Sequence, residues 1–482
     1  IIVGSLNDQI EVSAMSEPND MTRRDAAKLA AGVTAAVIAA PWIQKVKAAN
    51  NQVQMAIIGT GGRGQYHITH LNGLDGGRLV AACDIYQPNL DKGVNGSKDK
   101  PKGYKDYREI LNRNDIDAVM IATPLSTHFP ITRDALLAGK HVFCEKSLVH
   151  KPEEIHMLRK LVNERPKQVM QVGLQRRYSK FYQTARQMVD KGLLGDVTNV
   201  YAQWHRNLIN VPSATWTMKK NDPRGEESNW RLLSKYSGGL VAELGSHQMD
   251  IADWMFGSHF ETVNGVGGID YFKDGRDVFD SVQLIFRYPK GQRLLGSYIS
   301  TNQHLPLFGG ARAQFGELIM GTEGTIHITV GTDDEPSLGI WYREPAKKTP
   351  AAGTSKAAVA SASLASTGKG ARALPILLSK DEVTDQDSFV QKELKFARRW
   401  LYSKGVMVPE EENNPVDQQM IEFWECIRTG AKPKADLEIG LSDSAAVILS
   451  NLSMKEERRV WRKEIDTLGN PDVKPGAPVK KV

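Results

Sequence analysis

The sequence predicts an α/β protein: a doubly wound parallel sheet, followed by a second, strand-rich domain. Three observations carry that expectation. In "VQMAIIGTGGRGQYHITHL" an apolar strand runs straight into Gly59-x-Gly61-x-x-Gly64 and then into a helix. "RLVAACD", "DIDAVMIATP" and "KHVFCEK" are further apolar runs separated by helical stretches such as "STHFPITRDALLAGK", the pattern of parallel strands buried on both faces. Beyond residue 170, "DVTNVYAQWHRN", "DSVQLIFRYP", "RLLGSYIST" and "EGTIHITV" are rich in β-branched and aromatic residues with Gly, Pro or Asp punctuation, which reads as a second sheet.

A length of 482 residues exceeds one ordinary core and suggests two domains plus extras. The boundaries expected are an N-terminal extension and signal over 1–48, a dinucleotide-binding domain over 49–170, a second domain over 171–465 and a loose tail over 466–482. In "MTRRDAAKLAAGVTAAVIAAPWIQKVKAAN" the twin Arg23 and Arg24 precede a mildly apolar run from Leu29 to Ile43, with small residues around Val46 and Ala48. The run is shorter than the roughly 20 residues a bilayer span needs, so it reads as a Tat export signal, and the mature chain is expected to lack a membrane span. Between Lys347 and Ala373 an Ala/Ser/Lys/Gly-rich stretch is too poor in large apolar residues to order itself and reads as a flexible insertion. Helices around "DQQMIEFWECIRTG" and "SDSAAVILSNLSM" are expected to close the second domain.

A net charge of +6 without a dense Lys/Arg block interleaved with aromatics gives no basis for a nucleic-acid partner. Cys83, Cys144 and Cys426 are widely spaced with no CxxC pair, so neither a zinc site nor a disulfide framework is expected.

The glycine motif has a division of labour. Gly59 allows the tight turn, Gly61 lets the backbone approach a pyrophosphate, and Gly64 permits close packing of helix on strand, while Gly62 and Arg63 complete the loop at the helix start. The next strand ends at Asp84, twenty residues after Gly64. A carboxylate there accepts hydrogen bonds from ribose hydroxyls and repels a 2′-phosphate, which favours NAD over NADP. A glycine-rich turn beside a solvated Asp is the plain alternative, and the strand, helix and spacing together argue against it. Ligands of such sheets lie beyond the carboxyl ends of the strands, where Thr123, Pro124, His128, Glu145 and Lys146 fall.

"GGLVAELGSHQMDIADWMFG", residues 238–257, reads as an amphipathic helix. Leu240, Leu244, Ile251 and Met255 form its apolar stripe. Glu243, His247 and Asp250 form a second stripe beside it, which is expected to line a cleft edge. His247 is the sole nitrogen ligand there, so no metal site is expected. A structural His bonded to Asp250 is the competing reading.

These motifs, together with "IATPLSTH", "GKHVFCEKS", "GLLGDV" and "IMGTEGTIHI", resemble the Gfo/Idh/MocA oxidoreductases from about Val53 to about Met454. The resemblance implies a Rossmann domain, then an α/β domain with a large, mostly antiparallel open sheet often used for oligomer contacts, hence a homo-oligomer, dimer or tetramer. It also implies that Lys146 and the pair Glu243 and His247 carry the chemistry. Two positions depart from the family pattern. Ser147 stands where the family has proline, which removes a rigid turn, and Glu243 stands where the family has aspartate.

The resulting expectation is an exported oxidoreductase that moves a hydride between a carbohydrate hydroxyl and tightly bound NAD. His247 takes the proton, Lys146 stabilises the developing alkoxide, and Glu243 orients the imidazole or grips a hydroxyl. Asp250, with Arg176 and Tyr178 of "VGLQRRYS", is expected to contact substrate. Two other readings stay open: a glycosidase that uses NAD transiently, and a non-catalytic sugar-binding or scaffold protein.

Overall fold

The computed structural model describes residues 52–213, 215–302, 315–329, 338–344, 372–376, 392 and 414–468. The expected signal over 1–48, most of the expected insertion over 347–373 and residues 469–482 of the expected tail lie outside the described residues.

The first domain alternates strand and helix as its apolar runs require. β1 (Val53–Ile58) leads into α1 (Gly62–Leu71), β2 (Gly77–Cys83) into α2 (Gln87–Gly96), and β3 (Lys102–Tyr104) into α3 (Tyr107–Leu111). β4 (Ala118–Ile121), α4 (His128–Leu137), β5 (His141–Cys144), α5 (Pro152–Asn163) and β6 (Met170–Val172) complete it. The strands are all parallel, in the order β3-β2-β1-β4-β5-β6. The order reverses between β1 and β4, so the ends of those two strands flank the crevice where such sheets bind ligands.

After α6 (Lys180–Asp190) the chain enters the second sheet with β7 (Val197–His205). The stretch 238–257 follows: a π-helical turn, Val241–Gly245, runs into α7 (Ser246–Phe256), which Gly257 ends in the left-handed conformation at φ 64°. Then come β8 (Thr262–Gly268), β9 (Ser281–Arg287), β10 (Arg293–Ile299), β11 (Phe315–Gly321), β12 (Gly324–Thr329), β13 (Leu338–Arg343) and β14 (Arg372–Ile376). With β15 (Val460–Trp461) they form a sheet ordered β14-β13-β12-β11-β7-β10-β9-β8-β15. It is antiparallel except where β10 runs parallel to β7. β9 and β10 alternate buried and more exposed residues, because only one face of the sheet is covered by helices.

Three boundaries differ from the sequence expectation. β6 pairs with β5, so the first domain runs to Val172 rather than 170. β14 starts at Arg372, inside the stretch read as insertion, and a 3-10 turn, Arg462–Asp466, carries order into the expected tail. The third is larger. α8 (Pro415–Thr429), expected to close the second domain, packs instead into the core of the first, where Met420, Phe423 and Trp424 join Met55, Ile57 and Phe143. Gly76 and Gly77 have no side chain, so the Trp424 indole lies on their backbone; a Cβ on Gly76 would sit 2.3 Å from its ring. α9 (Leu437–Glu456) crosses between the two domains and contacts α7, α5 and β8.

Candidate functional site

The cofactor cradle is built from backbone. Gly59 has φ +91°, and a Cβ there would lie 2.6 Å from the Ala122 carbonyl oxygen, so the turn and the approach of β4 both demand glycine. A Cβ on Gly64 would lie 2.0 Å from the Gly59 oxygen. Gly61 and Gly62 are different: a Cβ would meet only Asn89 Nδ2 at 3.7 Å from the first and nothing within 4 Å from the second. Those two glycines leave open space over the start of α1, where no side chain caps the helix amides. The space, the amides and the helix dipole fit the pyrophosphate of a dinucleotide.

Asp84 at the end of β2 is held in place, its Oδ2 accepting from Thr60 N at 2.9 Å and its Oδ1 from Tyr86 N at 2.8 Å. Thr60 Oγ1 adds a longer bond to Oδ2 at 3.4 Å, whereas Oδ1 keeps a lone pair for a ribose hydroxyl. Thr123 and Pro124 lie half-buried past β4.

Glu145 is the hub of a network that spacing does not reveal. Its Oε1 accepts from Arg63 Nε at 2.6 Å and from His67 Nε2 at 2.7 Å. Burial alone would raise its pKa, but Arg63 and His67 hold it well below the usual carboxylate range. Glu145 and Arg63 therefore secure each other beside the cradle rather than standing free as cofactor ligands. His128 is likewise committed: its Nδ1 lies 2.7 Å from the Ser147 oxygen and its Nε2 2.9 Å from the Thr123 oxygen. The neutral ring donates to one of these carbonyls, and both of its nitrogens face the backbone past β4 and β5 rather than a cofactor.

The loop after β5 presents Lys146. Its Nζ donates to the carbonyls of Ala242 and Glu243, both at 2.8 Å, so the lysine of the first domain grips the π-helical turn of the second. Burial lowers its pKa, against the pull of Glu243, Glu145 and Asp443. The turn expected to have lost its rigidity at Ser147 is anchored by other means. Ser147 Oγ donates to Asp443 Oδ2 at 2.9 Å, and Ser444 Oγ accepts from Leu148 N at 3.0 Å and Val149 N at 3.2 Å. Two adjacent residues of α9 thus fix the segment that follows Lys146.

On the facing helix, His247 is buried and stacks on Trp204 with ring centroids 6.0 Å apart. Its Nδ1 has no hydrogen-bond partner among the described residues. Burial lowers its pKa well below the ordinary value, and the charges of Lys146 and Arg176 add to that. The imidazole is neutral at physiological pH and able to accept a proton. Glu243 does not orient it. Its Oε2 accepts from Arg231 Nε at 2.8 Å, and Arg231 and Lys146 together outweigh burial and keep the carboxyl ionised.

The three residues expected to contact substrate are engaged by the protein itself. Asp250 takes a two-pronged ion pair from Arg177, at 2.6 Å from Nη2 and 2.9 Å from Nε. Arg176 is buried against Glu317 of β11, which also accepts from Tyr182. Tyr178 donates to Glu422 of α8 and so ties the domain junction together. Lys146, Glu243 and His247 are thus brought together, whereas Asp250, Arg176 and Tyr178 form the support behind them. Sequence reasoning missed Trp204, Arg206, Trp216, Trp230 and Arg231 around the cleft, although the alternation of Trp and Arg between residues 204 and 231 was a visible signal.

Burial of imidazoles has a consequence for stability. His67, His128 and His247 all have pKa values lowered, chiefly by burial, and His141, His150 and His327 shift the same way. The unfolded chain takes up these protons near pH 6.5 and the native protein does not, so stability falls as pH drops below that value, by up to roughly 1.4 kcal/mol per pH unit for each group. Asp443, pushed up to about 7 by burial and then by Asp250, acts in the opposite sense, since below that pH the native protein holds a proton its unfolded chain lacks, and Asp250 and Glu154, also raised by burial, act in the same sense at lower pH. The six imidazoles outnumber these three carboxyls. The melting temperature is expected to fall between pH 7.5 and 5.5, and a calorimetric scan series showing a constant or rising value would contradict this balance.

Comparison with known proteins agrees with the geometry. A model described as an oxidoreductase family with an NAD-binding Rossmann fold matches residues 53–173, and the GFO/IDH/MocA C-terminal domain matches residues 182–327, together more than half of the chain. The chain is 31% identical over 200 residues to glycosyl hydrolase family 109 protein 2 of Shewanella sp. (strain ANA-3), covering 39% of this chain and 42% of that protein. It is 35% identical over 191 residues to inositol 2-dehydrogenase of Gluconacetobacter diazotrophicus, covering 39% of this chain and 56% of that protein. The chain thus spans about half the length of these curated relatives. The fold is shared with the aldose-aldose oxidoreductase of Caulobacter crescentus, at a TM-score of 0.60 and 20% identity over 85% of this chain and 99% of that one. With both of its domain models matched in order across the two sheets, the chain belongs to the GFO/IDH/MocA oxidoreductase family.

Proposed function

We propose that this protein oxidises a hydroxyl of a sugar, sugar derivative or polyol by hydride transfer to NAD. The observation that carries the reading is the meeting of Lys146 Nζ with the π-helical turn at residues 242 and 243, one turn before the unpartnered Nδ1 of buried His247. Bound NAD supplies the hydride acceptor. The cradle of Gly61, Gly62 and the first turn of α1 would hold its pyrophosphate, and Asp84 its adenosine ribose. Neutral His247 takes the hydroxyl proton as the C–H bond weakens. The ammonium of Lys146 hydrogen-bonds the oxygen on which negative charge develops. Trp204, stacked on His247, keeps water from the imidazole. The inositol dehydrogenase relative supports a polyol or sugar as substrate.

The glycosyl hydrolase family 109 relative supports a second reading, in which oxidation is transient and ends in cleavage of a glycosidic bond. One experiment separates the two. Protein purified without added cofactor is denatured to identify released dinucleotide, and the native protein is mixed with sugars, polyols and nitrophenyl glycosides while reduced nicotinamide is followed. Lasting reduction by a free sugar is the expected result; aglycone release without net reduction would replace it with the glycosidase reading.

Two further proposals rest on the sequence and the open sheet. The twin arginines of residues 23 and 24 support export in the folded state, which signal-fused reporter secretion in a Tat-deficient host checks by its loss. The uncovered face of the second sheet carries a row of apolar neighbours, with Ile285 opposite Leu295, Leu295 opposite Tyr201, and Tyr201 opposite Leu318. Ile285 is 50% exposed there, which supports a homo-oligomer through that face; sedimentation as a monomer would remove it.

A further inference from the structure

The arginines beside the cleft are mostly spoken for. Arg63 pairs with Glu145, Arg176 with Glu317, Arg177 with Asp250, Arg224 with Asp222, Arg276 with Asp274 and Arg231 with Glu243. Arg206, just past the end of β7, is the exception. Its guanidinium lies 5.3 Å from the centre of the Trp204 ring and 5.7 Å from that of Trp216, and no hydrogen bond or ion pair engages its side chain among the described residues.

Two chains of contact lead from Arg206 to the catalytic pair. Through Trp204 it reaches His247, which stacks on the same indole. Through Trp216 it reaches Arg231, whose guanidinium lies 5.5 Å from that ring and bonds Glu243, the residue whose carbonyl Lys146 holds. These contacts join three cations, Lys146, Arg206 and Arg231, to the one carboxylate of Glu243. Burial lowers the pKa of Arg206, and neighbouring Arg231 adds to that, while the shared Glu243 only partly offsets it. A guanidinium between two indole faces keeps its edge, with its N–H fork, available to a planar or tetrahedral oxyanion.

We infer that the substrate is an anionic sugar, one bearing a carboxylate or a phosphate, and that Arg206, held against the buried Trp204 and Trp216, determines this specificity by binding the oxyanion. This rests on the oxidoreductase reading above for the reaction but not for the binding. An ionised sugar acid supplies the counter-charge that Glu243 cannot give to two arginines at once. A neutral sugar would leave the guanidinium partly desolvated and unpaired, which costs affinity.

The test compares D-glucuronate and D-glucose 6-phosphate with D-glucose, on NAD-loaded full-length protein, by both steady-state reduction of NAD and calorimetric binding. The expected result is a kcat/KM or affinity for at least one anionic sugar about 10- to 100-fold above glucose, the range for a charged hydrogen-bonded pair, weakening as salt is raised. Glucuronate alone identifies a carboxylate site, and glucose 6-phosphate alone a phosphate site. In Arg206→Gln the ratio of anionic to neutral sugar is expected to fall at least tenfold, carried by KM rather than kcat, with Arg206→Lys in between. If no sugar is oxidised but the anionic sugars still bind selectively and lose that selectivity in Arg206→Gln, the oxidoreductase reading fails and this inference stands. Equal binding of all three by the wild-type protein, or an unchanged ratio in Arg206→Gln, overturns it.

Discussion

Replacing His247 by alanine is expected to lower kcat for sugar oxidation by about 10²- to 10⁴-fold while leaving bound NAD in place, the range for loss of a positioned general base. In the proposed reaction the imidazole is the proton acceptor, a role supported by burial and the nearby charges of Lys146 and Arg176, which keep it neutral, and by an Nδ1 with no partner among the described residues. The cradle lies on β1 and α1, in the other domain, so the dinucleotide does not depend on this ring. The same lowered pKa sets the pH profile. A base titrating below its ordinary value should leave kcat/KM flat through neutrality, with the acid limb below pH 6.5. Dinucleotide content and kcat, measured on one preparation, check the two halves of this result; turnover equal to wild type would remove His247 from the mechanism.

Lys146→Ala is expected to show two losses at once. Without the ammonium, charge developing on the substrate oxygen loses its donor, and kcat falls by about 10²- to 10³-fold. Without the two hydrogen bonds to Ala242 and Glu243, the grip of the first domain on the π-helical turn is lost, and stability falls by about 1 to 3 kcal/mol. Added ethylamine separates them. Restoration of turnover by the amine, with the melting temperature still low, is the expected outcome. A lowered melting temperature with unaltered turnover would leave Lys146 a structural residue only.

How much of this was legible in the sequence follows from the distance between partners. β1, the glycine loop, α1 and Asp84 form one local unit, and its strand, turn and helix signals lie within about thirty residues of chain. The helix at 238–257 was legible from its stripe and from Gly257. The partners of its polar residues were not. Asp250 is paired 73 residues away with Arg177, Arg176 is paired 141 residues away with Glu317, and Tyr178 is paired 244 residues away with Glu422. Local spacing shows that a charged residue lies near a cleft, but whether another chain segment already neutralises it depends on tertiary packing. The same limit explains α8, whose apolar face was visible although the domain it packs on was not, since Gly76 and Gly77 form the floor for Trp424. Ser147 makes the point most clearly. Read alone, it marks a lost proline, yet its hydroxyl is held by Asp443, nearly three hundred residues further on. Asp443 and Ser444 had a signal of their own, polar side chains within the small, apolar run "SDSAAVIL".

The most direct test of the account is whether a hydride passes from sugar carbon to nicotinamide within this cleft. Sugars and polyols deuterated at the carbinol carbons are mixed with NAD-loaded protein, and the dinucleotide is recovered for mass spectrometry. Reduced nicotinamide carrying one deuterium, formed by wild-type protein and lost in His247→Ala, is the expected result. Sugar bound by wild-type protein with the dinucleotide left oxidised and unlabelled throughout would contradict it.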